Sequence, residues 1–204
     1  MGRKSLKEVR QKEIINAFYI VAKKEGLENA SLAKVAKEMG VNTSLVLHYF
    51  TSKDELIFGL ISYILENYKE IYTSENKKNS KDSKLRNIIN NLFSRNWNEL
   101  IDDGVFYSCF TLIFRDAKIK AAFKDLHEYL RLLLTNAIQE AKENGEVFVE
   151  NPKETANLIF ILVEGSYYYL SLFEIDNEYN KRLNTYKKAA YSLLKLEEHN
   201  TTSL

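Results

Sequence analysis

The sequence predicts an all-α protein of about nine helices, and three observations carry that prediction. A single proline and seven glycines among 204 residues leave long uninterrupted segments. Apolar residues recur along them three and four positions apart, the period of one helix face. Capping residues such as Ser31, Ser52 and Asn151 precede these runs, and glycines such as Gly26, Gly40 and Gly145 follow them. An apolar share of 45% argues against disorder, and this length supports one or two domains with a sizeable core.

Ser5-Leu6-Lys7-Glu8 reads as a capping box. It opens a first helix that runs to Gly26, with Val9, Ile14, Ala17, Phe18 and Val21 facing inward. Leu32, Val35, Ala36 and Met39 then recur at i, i+3, i+4 and i+7, one face of a short helix. Ser31 caps it by accepting a bond from a free N–H, and Gly40 ends it as a left-handed residue. A second short helix follows this glycine turn, which is the pattern of a helix-turn-helix. At about 100° per residue, Val46 and Phe50 fall side by side as its inward face, flanked by Asn42 and Tyr49. Ser44 and His48 point the opposite way, with Thr43, Leu45 and Leu47 on the shoulders.

Ser52-Lys53-Asp54-Glu55 is a second capping box and opens a fourth helix that continues to Tyr72. Thr73–Lys84 is polar throughout and reads as an exposed loop. A fifth helix is predicted to Ile101, stopped by Asp102-Asp103-Gly104, and another over Val105–Phe114. A long helix over Ile119–Asn144 is stopped at Gly145. Asn151-Pro152-Lys153-Glu154 supplies a cap, an N1 proline and an N3 glutamate together, so a helix starts there and runs to Phe173. A last helix spans Asn177–Leu196, and His199–Leu204 is expected to fray. The expected division is a three-helix reader in residues 1–60 and a larger helical domain in 61–204. Net charge is +1 overall but uneven, +3 over residues 1–60 and −2 beyond, which suits a head that meets phosphate.

Such a reader places its outward face in the major groove of double-stranded DNA. Ser44 and Thr43 can bond either kind of base edge, and Leu45 can touch thymine methyls. His48, Tyr49 and Lys53 lie where phosphate contacts set register. Ser31 and Leu47 complete the set beside α-helical neighbours, and Lys4, with Arg3 and Lys7, either reaches an adjacent groove or forms a solvated tail. Period and glycine alone would equally suit a surface helix of an ordinary bundle.

The segment Gly40-Val41-Asn42-Thr43-Ser44-Leu45-Val46-Leu47-His48-Tyr49-Phe50-Thr51-Ser52-Lys53-Asp54-Glu55-Leu56 resembles the DNA-binding signature of the tetracycline-repressor (TetR) family. Its His-Tyr-Phe form is most similar to the choline-responsive, betaine-regulator branch. The likeness covers the first sixty residues; further on it rests on helix order and aromatic placement. Many members carry Tyr where this chain has Leu47, so one backbone contact is lost and His48 and Tyr49 take more of the phosphate work. The resemblance implies a ligand-responsive dimer, most simply a repressor, with a small-molecule cavity enclosed by the later helices.

Phe93, Trp97, Phe106, Tyr107, Phe110 and Phe114 cluster on two neighbouring helices, with Tyr167, Tyr168 and Tyr169 facing them or a partner subunit. These side chains either line an effector pocket or fill a dry core. Aromatic faces attract cations, and Glu164 or Glu99 can supply a counter-charge, so an organic cation or an amphipathic compound is the expected effector. The pocket set is Phe93, Trp97, Tyr107, Phe110, Phe114, Glu164 and Tyr168. Leu158–Val163 is apolar all round and must be covered on most sides. With Gly165 permitting close approach, Phe160, Gly165, Tyr167, Tyr186, Ala190 and Leu194 form an expected homodimer surface. A monomer burying these faces internally is the alternative. Two readers related by a two-fold axis demand a palindromic operator.

An enzyme needs a nucleophile and a base within reach, yet Cys109 is flanked by aromatics and His48, His127 and His199 are scattered. No metal-ligand spacing or glycine-rich phosphate loop is present, so neither metal nor cofactor is expected. A single cysteine fits the cytosol, no export leader is apparent, and Leu158–Phe173 is too short and too interrupted to cross a membrane.

Overall fold

The computed structural model describes residues 6–73, 83–94 and 101–196, with backbone alone for 70–73. Lys4, with Arg3 and Ser5, lies outside the described residues, as do Trp97, Glu99, most of the polar stretch after Thr73, and His199–Leu204. Among the described residues there are nine α-helices, one 3-10 turn and no strand. None of these helices is long and apolar enough to cross a membrane. The chain gathers into two compact units: Met1–Tyr68 with Asn98–Lys124, and Lys69–Trp97 with Asp125–Leu204.

In the first unit, α1 (Leu6–Glu25) buries Ile14, Ile15, Ala17, Phe18, Val21 and Ala22. Val9 does not join them and is 42% exposed. It lies roughly 140° around the helix from Ile14 at about 100° per residue, outside the stripe that Ile14, Phe18 and Val21 define. After α2 (Leu32–Met39) and α3 (Thr43–Tyr49) comes α4 (Lys53–Thr73). Ser52 Oγ accepts the Glu55 N–H at 3.2 Å, and the Glu55 carboxylate reaches back to the Thr51 N–H at 2.6 Å. This closes the predicted box one residue further out. Leu56, Leu60, Ile61 and Ile64 of α4 are fully buried.

The predicted fifth helix is shorter than expected. Helix α5 (Lys84–Leu92), in the second unit, ends where Phe93 leaves helical geometry. Asp102-Asp103-Gly104 starts the next helix, α6 (Asp103–Phe110), rather than stopping one, because the Asp102 carboxylate accepts the Val105 N–H at 3.2 Å. A 3-10 turn, Thr111–Phe114, follows α6, and then α7 (Ala117–Glu143).

In the second unit, α8 (Pro152–Leu170) opens as predicted, with Asn151 Oδ1 accepting the Glu154 N–H at 3.2 Å. Helix α9 (Asn177–Leu193) is capped by Asp176. Its core includes Leu85 and Ile89 of α5, Leu130 and Leu134 of α7, and Ile159 and Val163 of α8. Helices α4 and α7 contribute residues to both units.

Candidate nucleic-acid interface

Two short helices and a three-residue connection build the interface. Ser31, extended at φ −147°, accepts the Lys34 N–H at 3.3 Å and starts α2. Gly40 closes α2 at φ 65°, a conformation costly for a residue with a Cβ. The Val41 N–H returns to the Ala36 carbonyl at 3.0 Å, which satisfies a carbonyl the helix end would leave free. Asn42 is then exposed and caps α3, its Oδ1 accepting the Ser44 N–H at 3.0 Å. It does not flank the inward face as expected. An asparagine one residue ahead of a helix offers its oxygen to free N–H groups instead of packing inward.

The inward face is held by Val46 and Phe50, which bury against a reader core that includes Val35 and Ala36. Ser44, Leu47 and His48 are exposed, and Thr43, Leu45, Tyr49 and Lys53 are half-buried. His48 meets the Tyr49 ring edge-on at 5.0 Å. Lys53 Nζ donates to the Glu28 carbonyl at 2.7 Å, so one of its three hydrogens is engaged and two remain for an anion. Two ion pairs join α2 to α1: Lys24 with Glu38 at 2.9 Å, and Lys34 with Glu25 at 2.5 Å. The outward face is therefore a short, polar, partly apolar strip on a braced support, the form a major-groove reader takes.

The comparisons with known proteins decide the family. The description "Tetracyclin repressor-like, C-terminal domain" matches residues 79–196, and "Bacterial regulatory proteins, tetR family" matches residues 14–60. The chain belongs to the TetR family of transcriptional regulators. A BetI regulator from Stenotrophomonas maltophilia is 33% identical over 70 residues, 34% of this chain and 36% of that one. The chain thus matches about a third of that relative's length. The nucleoid occlusion factor SlmA of Actinobacillus pleuropneumoniae is 26% identical over 93% of each chain. Among solved structures, a TetR transcription regulator from Haloarcula marismortui has a TM-score of 0.75 at 17% identity, covering 92% of this chain and 97% of that one. A Saccharomonospora viridis regulator solved in complex with choline has a TM-score of 0.69 at 13% identity, covering 89% and 96%.

In this TetR-family protein the expected pocket residues do not all come together. Tyr107 and Phe110 join Phe106, Tyr68 and Phe123 in one aromatic set of the first unit: Tyr68 stacks on Phe106 at 5.4 Å, and Phe123 meets Phe110 edge-on at 5.6 Å. Phe114 is 80% exposed instead. The 3-10 turn after α6 has a tighter period than an α-helix, so Phe114 is carried off the face that Phe106 and Phe110 share. In the second unit Phe93 is buried, and Glu164 Oε2 sits 3.8 Å from His127 Nε2, with His127 edge-on to Phe160 at 5.6 Å. Tyr168 is 63% exposed. A cleft of about 220 Å³ lies elsewhere, between α1 and α4, floored by Ile15, Phe50 and Gly59.

The residues of the expected dimer surface divide between buried and exposed positions. Phe160, Ala190 and Leu194 are buried within their own chain, and Tyr167 places its hydroxyl 2.9 Å from the carbonyls of Leu92 and Ser94. Tyr186 is half-buried. Gly165 is exposed, with nothing within 4 Å of where a Cβ would stand. The helical period divides the all-apolar stretch: Ile159, Phe160 and Val163 point in, while Leu158, Ile161 and Tyr168 point out.

Burial pushes the Glu164 carboxyl up to about 7 from its ordinary value near 4.5. The folded protein then keeps a proton that the unfolded chain releases between those values, so Glu164 makes stability fall as pH rises from about 4.5 to 7. Urea midpoints measured from pH 4.5 to 8 should show Glu164→Gln with a smaller loss over that window than wild type. Parallel curves would mean that burial does not hold the proton. Burial also pushes the Cys109 thiol up to about 12, which leaves it a poor nucleophile at neutral pH. Among the described residues no three His, Cys, Asp or Glu side chains gather to hold a metal ion.

Sequence reasoning missed two positions. Tyr19 accepts a hydrogen bond from the Asp102 N–H at 2.8 Å, and no local pattern links residues so far apart. Lys34 bonds both Glu25 and the Asn29 carbonyl; its spacing of nine from Glu25 matches no single-helix pairing.

Proposed function

We propose that this TetR-family regulator is a homodimeric repressor that binds a palindromic operator through α3 and leaves it when a small organic cation or amphipathic effector binds. The observation that carries the reading is α3 itself, which buries Val46 and offers Ser44, Leu47 and His48 outward. Thr43, Ser44 and Leu45 read bases, while His48, Tyr49, Lys53 and Ser31 hold phosphate, with Leu47 in apolar contact beside them. Leu158, Ile161, Gly165 and Tyr168 are spaced three, four and three apart on the outward face of α8, the period of a helix-pairing seam. A second copy is the occupant that suits it, because both subunits then present the same strip. The aromatic set around Phe106 supports an effector with an apolar or cationic group, as does the choline bound in the Saccharomonospora viridis structure. Bound at its operator the dimer blocks transcription sterically, and the effector releases it by binding the DNA-incompetent state more tightly. Such a protein works in the cytoplasm.

Fluorescence anisotropy on DNA from immediately upstream of its own gene, across a salt series and beside scrambled DNA, tests the reading. Selective, salt-steep binding is expected. His48→Ala should weaken binding to every sequence by a similar factor, since phosphate carries no sequence information. Leu45→Ala should change which bases are preferred, at about 1–3 kcal/mol for a good base contact. An unchanged preference would remove Leu45 from base reading, and binding equal to scrambled DNA would favour a helical adaptor that meets only protein. The SlmA likeness along nearly the whole chain supports a second reading, a nucleoid occlusion factor. Selection of bound genomic fragments separates the two by the number of sites recovered.

A further inference from the structure

Tyr19 lies on α1, away from the outward face of α3, and its hydroxyl accepts the backbone N–H of Asp102 at 2.8 Å, across 83 residues of chain. Asp102 caps α6, and its side chain is committed to the Val105 N–H at 3.2 Å. The N–H of the capping residue is left to a partner outside α6, and Tyr19 supplies one. The Tyr19 ring also leans on Tyr63 of α4, with centroids 6.2 Å apart. One turn further on, the Phe106 N–H returns to the Asp102 carbonyl at 3.0 Å. Phe106 is the ring that stacks on Tyr68 and meets Tyr107, Phe110 and Phe123.

The same α1 braces α2 at its other end, through Lys24 on Glu38 and Glu25 on Lys34. A single hydroxyl thus connects the start of the helix that carries the aromatic set with the helix that holds the reader. Breaking the contact would leave a part-buried N–H without its partner, which costs more than an ordinary exposed bond. Burial raises the pKa of the Tyr19 phenol, so the oxygen stays neutral at physiological pH. Lys23 Nζ comes no closer to Asp102 Oδ2 than 3.9 Å, near the outer limit of an ion pair, so this pair adds little.

We propose that the Tyr19–Asp102 hydrogen bond couples the two ends of this unit, so that the placement of α6 and the DNA affinity of α2–α3 depend on each other. The proposal rests on α3 being the DNA-binding face. Coupling between sites is reciprocal, so DNA bound at α3 must alter α6, and no effector need be known to see it.

Hydrogen exchange on the full chain, with and without a duplex selected by the wild-type protein from a random-sequence pool, reads both ends at once. In wild type, DNA should slow exchange over residues 32–49 and change it over 102–106 by about 5-fold or more, the lower end of ordinary coupling. Tyr19→Phe keeps the ring against Tyr63 and removes only the acceptor. It should keep protection over 32–49 and lose the DNA-dependent change over 102–106. Lys23→Gln should keep both. A merely structural role for Tyr19 would shift exchange over 102–106 equally with and without DNA. A DNA-dependent change over 102–106 that persists in Tyr19→Phe overturns the proposal, and so does its absence from wild type when 32–49 is protected. No protection over 32–49 in wild type would show that α3 does not bind DNA, and the coupling would fall with it.

Discussion

Ile161→Glu is expected to turn the proposed dimer into monomers and to lower operator affinity by about 100-fold or more, the cost of leaving a charge buried and unpaired at roughly 3–5 kcal/mol. Ile161 is 67% exposed in its own chain, in the middle of the outward strip of α8. In an isologous pairing each subunit contributes the same strip, so one substitution places two carboxylates in the seam. Gly165 stands one turn on, with open space where its Cβ would be, which lets a second backbone approach. DNA affinity should fall with the proposed dimer, because a dimer would read two half-sites together and a monomer only one. Sedimentation velocity and anisotropy on the same samples read both effects. Asn136→Glu, on the exposed side of α7, serves as the control and should change neither. A variant that remains dimeric with wild-type affinity would remove α8 from the interface.

Val46→Asp is expected to abolish DNA binding by unfolding the reader, not by losing a contact with DNA. Val46 is fully buried in α3 and faces away from the exposed Ser44 and His48. A carboxylate there has no described partner to take its charge, and the effective penalty is several kcal/mol, comparable with the whole stability of a small domain, about 5–15 kcal/mol. Exchange protection over residues 32–49 should vanish in the free protein. Ser44→Ala, on the opposite face of the same helix, should leave that protection intact while altering sequence preference. Protection that survives Val46→Asp would mean that the α2–α3 pair does not depend on this side chain for its packing.

Much of the architecture was legible in the residues because it rests on bonds between near neighbours. Ser31, Ser52 and Asn151 cap helices through oxygens that reach three residues ahead, and Gly40 ends α2 as its lack of a Cβ allows. The alternation of inward and outward positions on α3 follows from the helical period, which is why Val46 and His48 were separable before any coordinates. Boundaries set by competition between neighbouring signals were less legible. Asp102-Asp103-Gly104 suits a helix end and a helix start equally in composition, and only the carboxylate on the Val105 N–H shows which role it takes.

The choice between an apolar side chain that packs within its own chain and one left outside was not written in composition at all. Leu158, Ile161 and Tyr168 read the same as Ile159, Phe160 and Val163 along the sequence, and the positions of α5, α7 and α9 around α8 decide which of them are covered. Phe114 stands outside the aromatic set where the chain tightens into a 3-10 turn. Residues alone therefore settled the order of helices and the outward face of the reader, since those depend on short-range capping and period. Packing settled the unit to which α6 belongs, the exposed strip of α8 and the Tyr19–Asp102 bond. Such contacts join residues far apart in the chain, where no spacing rule operates and burial of a polar group decides its partner.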